Sequence, residues 1–142
     1  MPLLPRKSIL AIAAVLDIAI NARGRPVAAK ALASRHGLPP RHLEPVLQAL
    51  VRHGILRGVR GPRGGYQLAR ERRRITANDI LRAAGSAEET NGLSRTESSL
   101  VHDVVVPALV QAESAFAGAL ARINVEDLAR SAEGGQERAG AA

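Results

Sequence analysis

Residues 54–68 read GILRGVRGPRGGYQL, two short runs with apolar residues on either side of a turn rich in glycine and proline. Each run has the length and bounding residues of a short strand, which predicts strands over 55–60 and 65–69 and a turn over 61–64. Arginines recur through and beyond this stretch, at Arg57, Arg60 and Arg63 among others. The sequence therefore predicts a basic β-hairpin.

Helices are predicted on the N-terminal side of this hairpin. Residues 7–22 are apolar on nearly every side and read as a buried first helix; residues 27–36 read as a second helix with Ala28, Ala31 and Leu32 inward. After a tight connection, a third helix carries apolar residues three and four apart, at Leu43, Val46, Leu47, Leu50 and Val51. Two such helices followed by a hairpin predict a winged helix-turn-helix.

A second region is predicted after the hairpin. Thr76 and Asp79 form a capping-box pattern before a short helix over 77–84. A long helix over 97–123 follows, and Pro107 inside it is expected to kink it or divide it. We thus predict a mainly α fold with a small β-hairpin wing, divided into a DNA-binding domain over 1–85, a linker over 86–96, a dimerisation region over 97–130 and a disordered tail over 131–142.

Charge is distributed unevenly along the 142 residues. Residues 1–85 hold 16 Lys and Arg against 4 acids, and residues 86–142 hold 4 against 9. This asymmetry indicates that the first part faces a polyanion, whereas a merely basic, solvated surface predicts no such division.

Several function classes find no support in the sequence. The chain has no cysteine, its four histidines match no zinc spacing, and no catalytic site is recognisable, so we expect neither an enzyme nor a metal or other cofactor. The apolar run 9–16 is too short to span a bilayer. We expect a cytoplasmic protein without membrane contact.

The wing and its surroundings resemble the Rrf2 family of bacterial regulators, the IscR, NsrR and CymR type. The resemblance rests on Leu43-Glu44, on residues 59–66 (VRGPRGGY) and on Leu68 and Ala69; it continues through 75–79 and 83–85 and resumes over 123–128. It implies a homodimer that binds an imperfect palindrome through a winged helix, with a long helix packed across the partner. Several members hold an iron-sulfur cluster on three cysteines, which this chain lacks, so a cluster-free member is predicted.

Seven residues are predicted to contact double-stranded DNA. The start of a recognition helix enters the major groove, which assigns Pro40, Arg41, His42 and Glu44 to the DNA side. The resemblance implies that Glu44 reads a base, although a surface glutamate favoured by the helix N-terminus is the alternative. It also implies that Arg60 enters a minor groove; Arg57 and Arg63 are expected to contact phosphates or simply to be solvated.

The long helix carries an apolar stripe at intervals of three and four residues, which predicts the dimer contact: Val101, Val105, Leu109, Ala112, Phe116, Leu120 and Ile123. The favoured function is a sequence-specific DNA-binding regulator acting as a repressor. A protein-interaction module and a nonspecific DNA-binding protein are the alternatives. A small-molecule effector, placed between the winged domain and the long helix, is left open by the sequence.

Overall fold

A computed structural model describes residues 4–85 and 99–141, with side chains up to residue 135. The predicted linker over 86–96 lies outside the described residues. The elements, in chain order, are α1 (Arg6–Asn21), α2 (Ala29–Arg35), α3 (Pro40–Arg52), β1 (Leu56–Val59), β2 (Gly65–Leu68), a 3-10 turn (Arg72–Arg74), α4 (Ala77–Gly85), a π-helical turn (Val101–Val105), α5 (Val106–Leu120) and α6 (Val125–Ala141). This order confirms the predicted fold class, mainly helical with one antiparallel hairpin.

One core joins α1, α2, α3, α4 and the hairpin. Its largest fully buried side chains include Ile18, Leu32, Leu47 and Ile80. The predicted inward face of α3 is correct for Leu43, Val46, Leu47 and Leu50, which are buried, whereas Val51 is half-buried. The prediction for Ala28 is wrong. Ala28 is exposed because α2 begins only at Ala29, after Val27 has paired with the hairpin.

The start of α6 belongs to this same core. Val125 and Ala129 are buried, the Val125 N–H donates to the Ile75 carbonyl at 2.9 Å, and the Ala77 N–H donates to the Ile123 carbonyl at 2.8 Å. Residues 124–130 therefore pack in the winged domain rather than in a separate dimerisation region. The helix also continues to Ala141, where a disordered tail is predicted. Arg72 lies 3.5 Å from both Glu126 and Glu133, which ties α6 to the 3-10 turn after β2.

Pro107 is accommodated by a change of helix type rather than by a break. The Val106 N–H donates to the Val101 carbonyl, five residues earlier, and α5 follows directly from this π-helical turn. A π turn is a common way to absorb a distortion within a helix. Because proline has no N–H and its ring crowds the preceding turn, the wider turn relieves the conflict.

The predicted apolar stripe is divided by the structure. Val105, Leu109 and Ala112 are exposed, and Val101 and Phe116 are half-buried. Leu120 is instead buried in its own chain, where α5 packs against α4. Ile123 lies beyond the end of α5, in the segment that pairs with Ala77, so the helical spacing that includes it in the stripe does not hold.

Candidate nucleic-acid interface

The N-terminal end of α3 presents an open polar surface. Pro39 precedes the helix and Pro40 occupies its first turn, where the missing N–H of proline costs no helical hydrogen bond. Arg41, His42 and Glu44 are all exposed, because the apolar side of α3 faces the core and leaves these residues on the opposite side. Pro45 removes the hydrogen bond that the Arg41 carbonyl would accept, but it too is exposed and the helix continues through it.

The hairpin is a rigid projection. Its register pairs Leu56 with Leu68 and Val59 with Gly65. A Cβ at Gly64 would lie 2.1 Å from the Val59 carbonyl oxygen, and one at Gly65, whose φ is +155°, would lie 2.4 Å from the Val27 carbonyl oxygen. Only glycine therefore permits the tight turn and the close approach to Val27. The wing is defined here as residues 56–68.

Backbone pairing anchors the wing to the helix-turn-helix. The Val27 N–H donates to the Tyr66 carbonyl at 2.9 Å, and the Tyr66 N–H donates to the Val27 carbonyl at 2.8 Å. The Tyr66 side chain packs against the hydrophobic core, so the single aromatic residue of the wing has a structural role. The segment before α2 thus acts as a third, very short strand, which fixes the wing relative to α2 and α3.

An open cleft of about 600 Å³ separates α3 from the wing. Gln48 and Val51 line it from α3, and Arg60 and Gly61 line it from the wing. The recognition helix and the wing therefore flank the same opening. Gln48 was not predicted as a site residue, although its exposed position four residues after Glu44, on the same side of the helix, is a signal that the sequence contains.

The arginines of the basic stretch differ in their surroundings. Arg60 and Arg63 are exposed at the wing tip, and Arg57 is exposed beside Gln67, to which its Nε donates at 3.2 Å. Arg70 instead donates to the carbonyls of His53 and Gly54, at 3.1 Å each, and so stabilises the end of α3. Arg70 thus serves the fold, whereas the wing-tip arginines point into solvent.

A polar cluster between α1 and α2 was missed by the sequence reasoning. The Asp17 carboxylate accepts from Arg35 Nη2 at 2.6 Å, from Arg35 Nε at 2.9 Å and from Asn21 Nδ2 at 3.0 Å, and it lies 3.0 Å from His36 Nε2. Burial on its own would raise the pKa of Asp17, but these hydrogen bonds, with the charge of Arg35, outweigh it and hold that pKa below the ordinary 3.8. The cluster fixes the end of α2, immediately before the turn into α3.

Comparison with known proteins agrees with this architecture. The profile of the Rrf2 family, described as an iron-dependent transcriptional regulator, matches residues 4–131. The chain belongs to the Rrf2 family. A Synechocystis protein named as an HTH-type transcriptional regulator is 36% identical over 126 residues, which cover 88% of this chain and 86% of that protein. IscR of Cronobacter sakazakii is 32% identical over 80 residues, 56% of this chain and 49% of IscR.

Solved structures give the same result for the fold. The structure of T. potens IscR superposes with a TM-score of 0.72 at 29% identity, covering 94% of this chain and 90% of that one. CymR of B. subtilis superposes with a TM-score of 0.69 at 23% identity, covering 90% and 96%. The Rrf2 resemblance and the winged helix are thus confirmed. This Rrf2 protein is a transcriptional regulator, and the relatives named above are regulators rather than enzymes.

The described residues of this Rrf2 protein do not fit the iron in the family description. The sequence has no cysteine, and within the described parts of the chain no group of three or more His, Asp or Glu side chains could hold a metal ion. Protein-held iron needs such a set of thiolate, imidazole or carboxylate ligands.

Proposed function

We propose that this Rrf2 regulator acts in the cytoplasm as a homodimeric repressor that binds a palindromic operator in double-stranded DNA. The observation that carries the proposal is the shared opening between α3 and the wing. The exposed Gln48 of α3 and the exposed Arg60 of the wing flank one cleft, as a helix in the major groove and a wing in the adjacent minor groove require.

The proposed contacts follow from the chemistry of the side chains. Glu44 accepts a hydrogen bond from a cytosine amino group, because a carboxylate near phosphates is repelled unless a base compensates it. Pro40, Arg41 and His42 precede Glu44 in the first turn of α3 and face the same groove. Arg60 enters the minor groove, where the potential is most negative when the groove is narrow. Arg57 and Arg63 contact phosphates and set the register.

Dimerisation is supported by the exposed apolar face of the π-helical turn and α5. Leu109 is 62% exposed and Leu100 is 66% exposed, and Val104, Val105 and Val110 are exposed beside them. A single soluble chain rarely leaves so large an apolar surface uncovered. A second copy of the same helix would cover it with a closed, two-fold contact.

The same helix raises a membrane alternative. Among the described residues, Val101–Leu120 alone is long and apolar enough to cross a bilayer, by length and composition. It carries the carboxylates of Asp103 and Glu113, and a charged residue near the centre of a spanning helix costs about 2.5 to 3.5 kcal/mol. This cost favours a partner chain over lipid as the surface that covers the apolar face of the helix.

An effector pocket, expected between the winged domain and the long helix, has a candidate position. An open cavity of about 410 Å³ lies between α4 and α5, lined by Leu81, Phe116 and Leu120 among others. The lining is mixed in character and singles out no ligand class.

The test of DNA recognition begins with operator selection from random duplexes. The selected operator and a scrambled duplex are then titrated with wild type, Arg60→Ala, Arg63→Ala and a control, Arg130→Ala, which changes an exposed arginine on α6.

Arg63→Ala should weaken binding to both duplexes and lower the salt slope by about one phosphate contact. Arg60→Ala should weaken binding most where flanks are A·T-rich. Equal wild-type affinity for both duplexes would indicate a nonspecific binder, and no binding would indicate a protein-interaction module.

The test of dimerisation is light scattering in moderate salt without detergent. The proposal requires a dimer at micromolar concentration. A stable monomer would refute the dimer and the palindromic operator together, and solubility only in detergent would favour the membrane alternative.

A further inference from the structure

Gly58 is a glycine that the fold of the chain does not require. It lies inside β1, and a Cβ built there meets no atom within 4 Å. Its φ is not among the positive values, in contrast to Gly61 and Gly65. Glycine inside a strand weakens it and often marks the close approach of a ligand or another backbone. The structure of the hairpin therefore does not explain why position 58 is a glycine.

The direction of the missing side chain supplies that reason. Gly58 pairs with Tyr66, and Leu56, two residues earlier, pairs with Leu68. Because side chains alternate along a strand, position 58 shares a face with the buried Leu56 rather than with Arg57. That face turns towards α3, and Gly58 lines the cleft together with Gln48, Val51 and Arg60. Any larger side chain at 58 would stand in the cleft.

We propose that the cleft between α3 and the wing holds one strand of the DNA sugar–phosphate backbone, with Gly58 keeping the cleft open and the Gln48 amide donating to a phosphate oxygen. This inference rests on the proposed function. When α3 occupies the major groove and the wing the next minor groove, the strand that separates the two grooves must pass between them.

The lining fits a polyanionic, slender occupant. Arg60 is the charged residue of the lining, no acid belongs to it, and Gly58, Gly61, Gly64 and Gly65 form much of the wing wall beside Val59 and Tyr66. A positive side chain with no acid beside it complements the DNA backbone, which carries one negative charge at each phosphate. Gln48 is the polar residue on the α3 wall, and an amide N–H donates readily to phosphate without carrying charge.

The first test measures stability and DNA binding in the same variant, because the proposal expects the first to rise and the second to fall. Gly58→Thr should raise the urea midpoint of unfolding, because threonine favours strands and its Cβ enters open space. It should weaken binding to the operator and to a scrambled duplex by about tenfold or more each, since each loses the same backbone contacts. The control Gly134→Ala, in α6 where a Cβ also meets open space, should raise the midpoint and leave binding unchanged. Wild-type affinity in Gly58→Thr, or a lowered midpoint, overturns the proposal.

The second test identifies the role of Gln48. Gln48→Ala should weaken both duplexes by about tenfold or more, the factor of one hydrogen bond to a charged group, and leave the salt slope at the wild-type value because no cation is removed. Loss on the operator alone would make Gln48 a base-reading residue, and an unchanged affinity would leave it without a contact; either result overturns the assignment. Wild type that binds neither duplex is a distinct result, which refutes the proposed function itself.

Discussion

Replacement of Asp17 by asparagine should reveal how strongly the buried cluster holds α1 to α2. The change keeps the shape of the side chain but removes the charge that accepts two hydrogen bonds from Arg35. Breaking a fully buried ion pair costs about 3 to 5 kcal/mol. Because the Arg35 side chain is 44% exposed and water can solvate it in the variant, while that of Asp17 is only 7% exposed, we expect a loss of about 2 to 3 kcal/mol in the free energy of unfolding.

The dependence of this loss on pH follows from the lowered pKa of Asp17. The folded chain releases the Asp17 proton more readily than the unfolded chain, whose carboxyl titrates near 3.8. The stabilisation is therefore complete above that value and is lost as the pH falls through the folded-state pKa. Urea unfolding should show a difference in the free energy of unfolding between wild type and Asp17→Asn at neutral pH, and this difference should disappear in acid.

The matched control is Glu71→Ala. Glu71 also lies near two arginines, Arg73 at 3.6 Å and Arg74 at 4.0 Å, but all three side chains are exposed. Such surface pairs contribute little, so this variant should unfold within about 0.5 kcal/mol of wild type. If Asp17→Asn is equally mild, or if its difference from wild type does not change with pH, the cluster does not stabilise the fold as argued.

Three further predictions concern base reading, dimerisation and helix capping. Glu44→Ala should lose about 1 to 3 kcal/mol of discrimination at one base pair while binding to other sequences survives or tightens; equal weakening of an operator and a scrambled duplex contradicts base reading. Leu109→Asp should shift light scattering towards the monomer, because it places a charge on the exposed apolar face, whereas Arg122→Asp, an exposed change beyond α5, should leave the dimer intact. Thr76→Ala should lower the free energy of unfolding by about 1 kcal/mol without altering DNA affinity per folded molecule, and an unchanged urea midpoint would show that the cap contributes nothing.

Local patterns were sufficient for much of the fold. Thr76 and Asp79 show why: the Asp79 N–H donates to Thr76 Oγ1 and the Thr76 N–H donates to an Asp79 carboxylate oxygen, both at 3.1 Å, which is the reciprocal pair that the spacing predicts. The hairpin was predictable for the same reason, since its turn residues and strands are neighbours in sequence. The seven predicted DNA contacts are all exposed in the structure, although their binding roles remain predictions.

Errors arose where distant segments meet. Ala28 was placed inward because a helical period was extended over Val27, which instead pairs with Tyr66 far along the chain. Ile123 was added to the long helix because its spacing fits, but its carbonyl accepts from Ala77. Asp17 meets Arg35 and His36 from another helix, 18 and 19 residues away. No local period reports such contacts, so the cleft and the buried cluster required the three-dimensional structure.

The packing of Val125 and Ala129 into the winged core makes the DNA-binding unit discontinuous in sequence. Residues 4–85 alone would expose the surfaces of Ile75 and α1 that the start of α6 covers, so a fragment ending at Gly85 would be incomplete rather than minimal. The long helix lies between two parts of this unit in the sequence. The chain returns to the unit at Ile123, which pairs with the first residue of α4. In the proposed dimer, shortening or lengthening the long helix by whole helical turns would alter the distance between the two winged units while leaving the fold of each one closed.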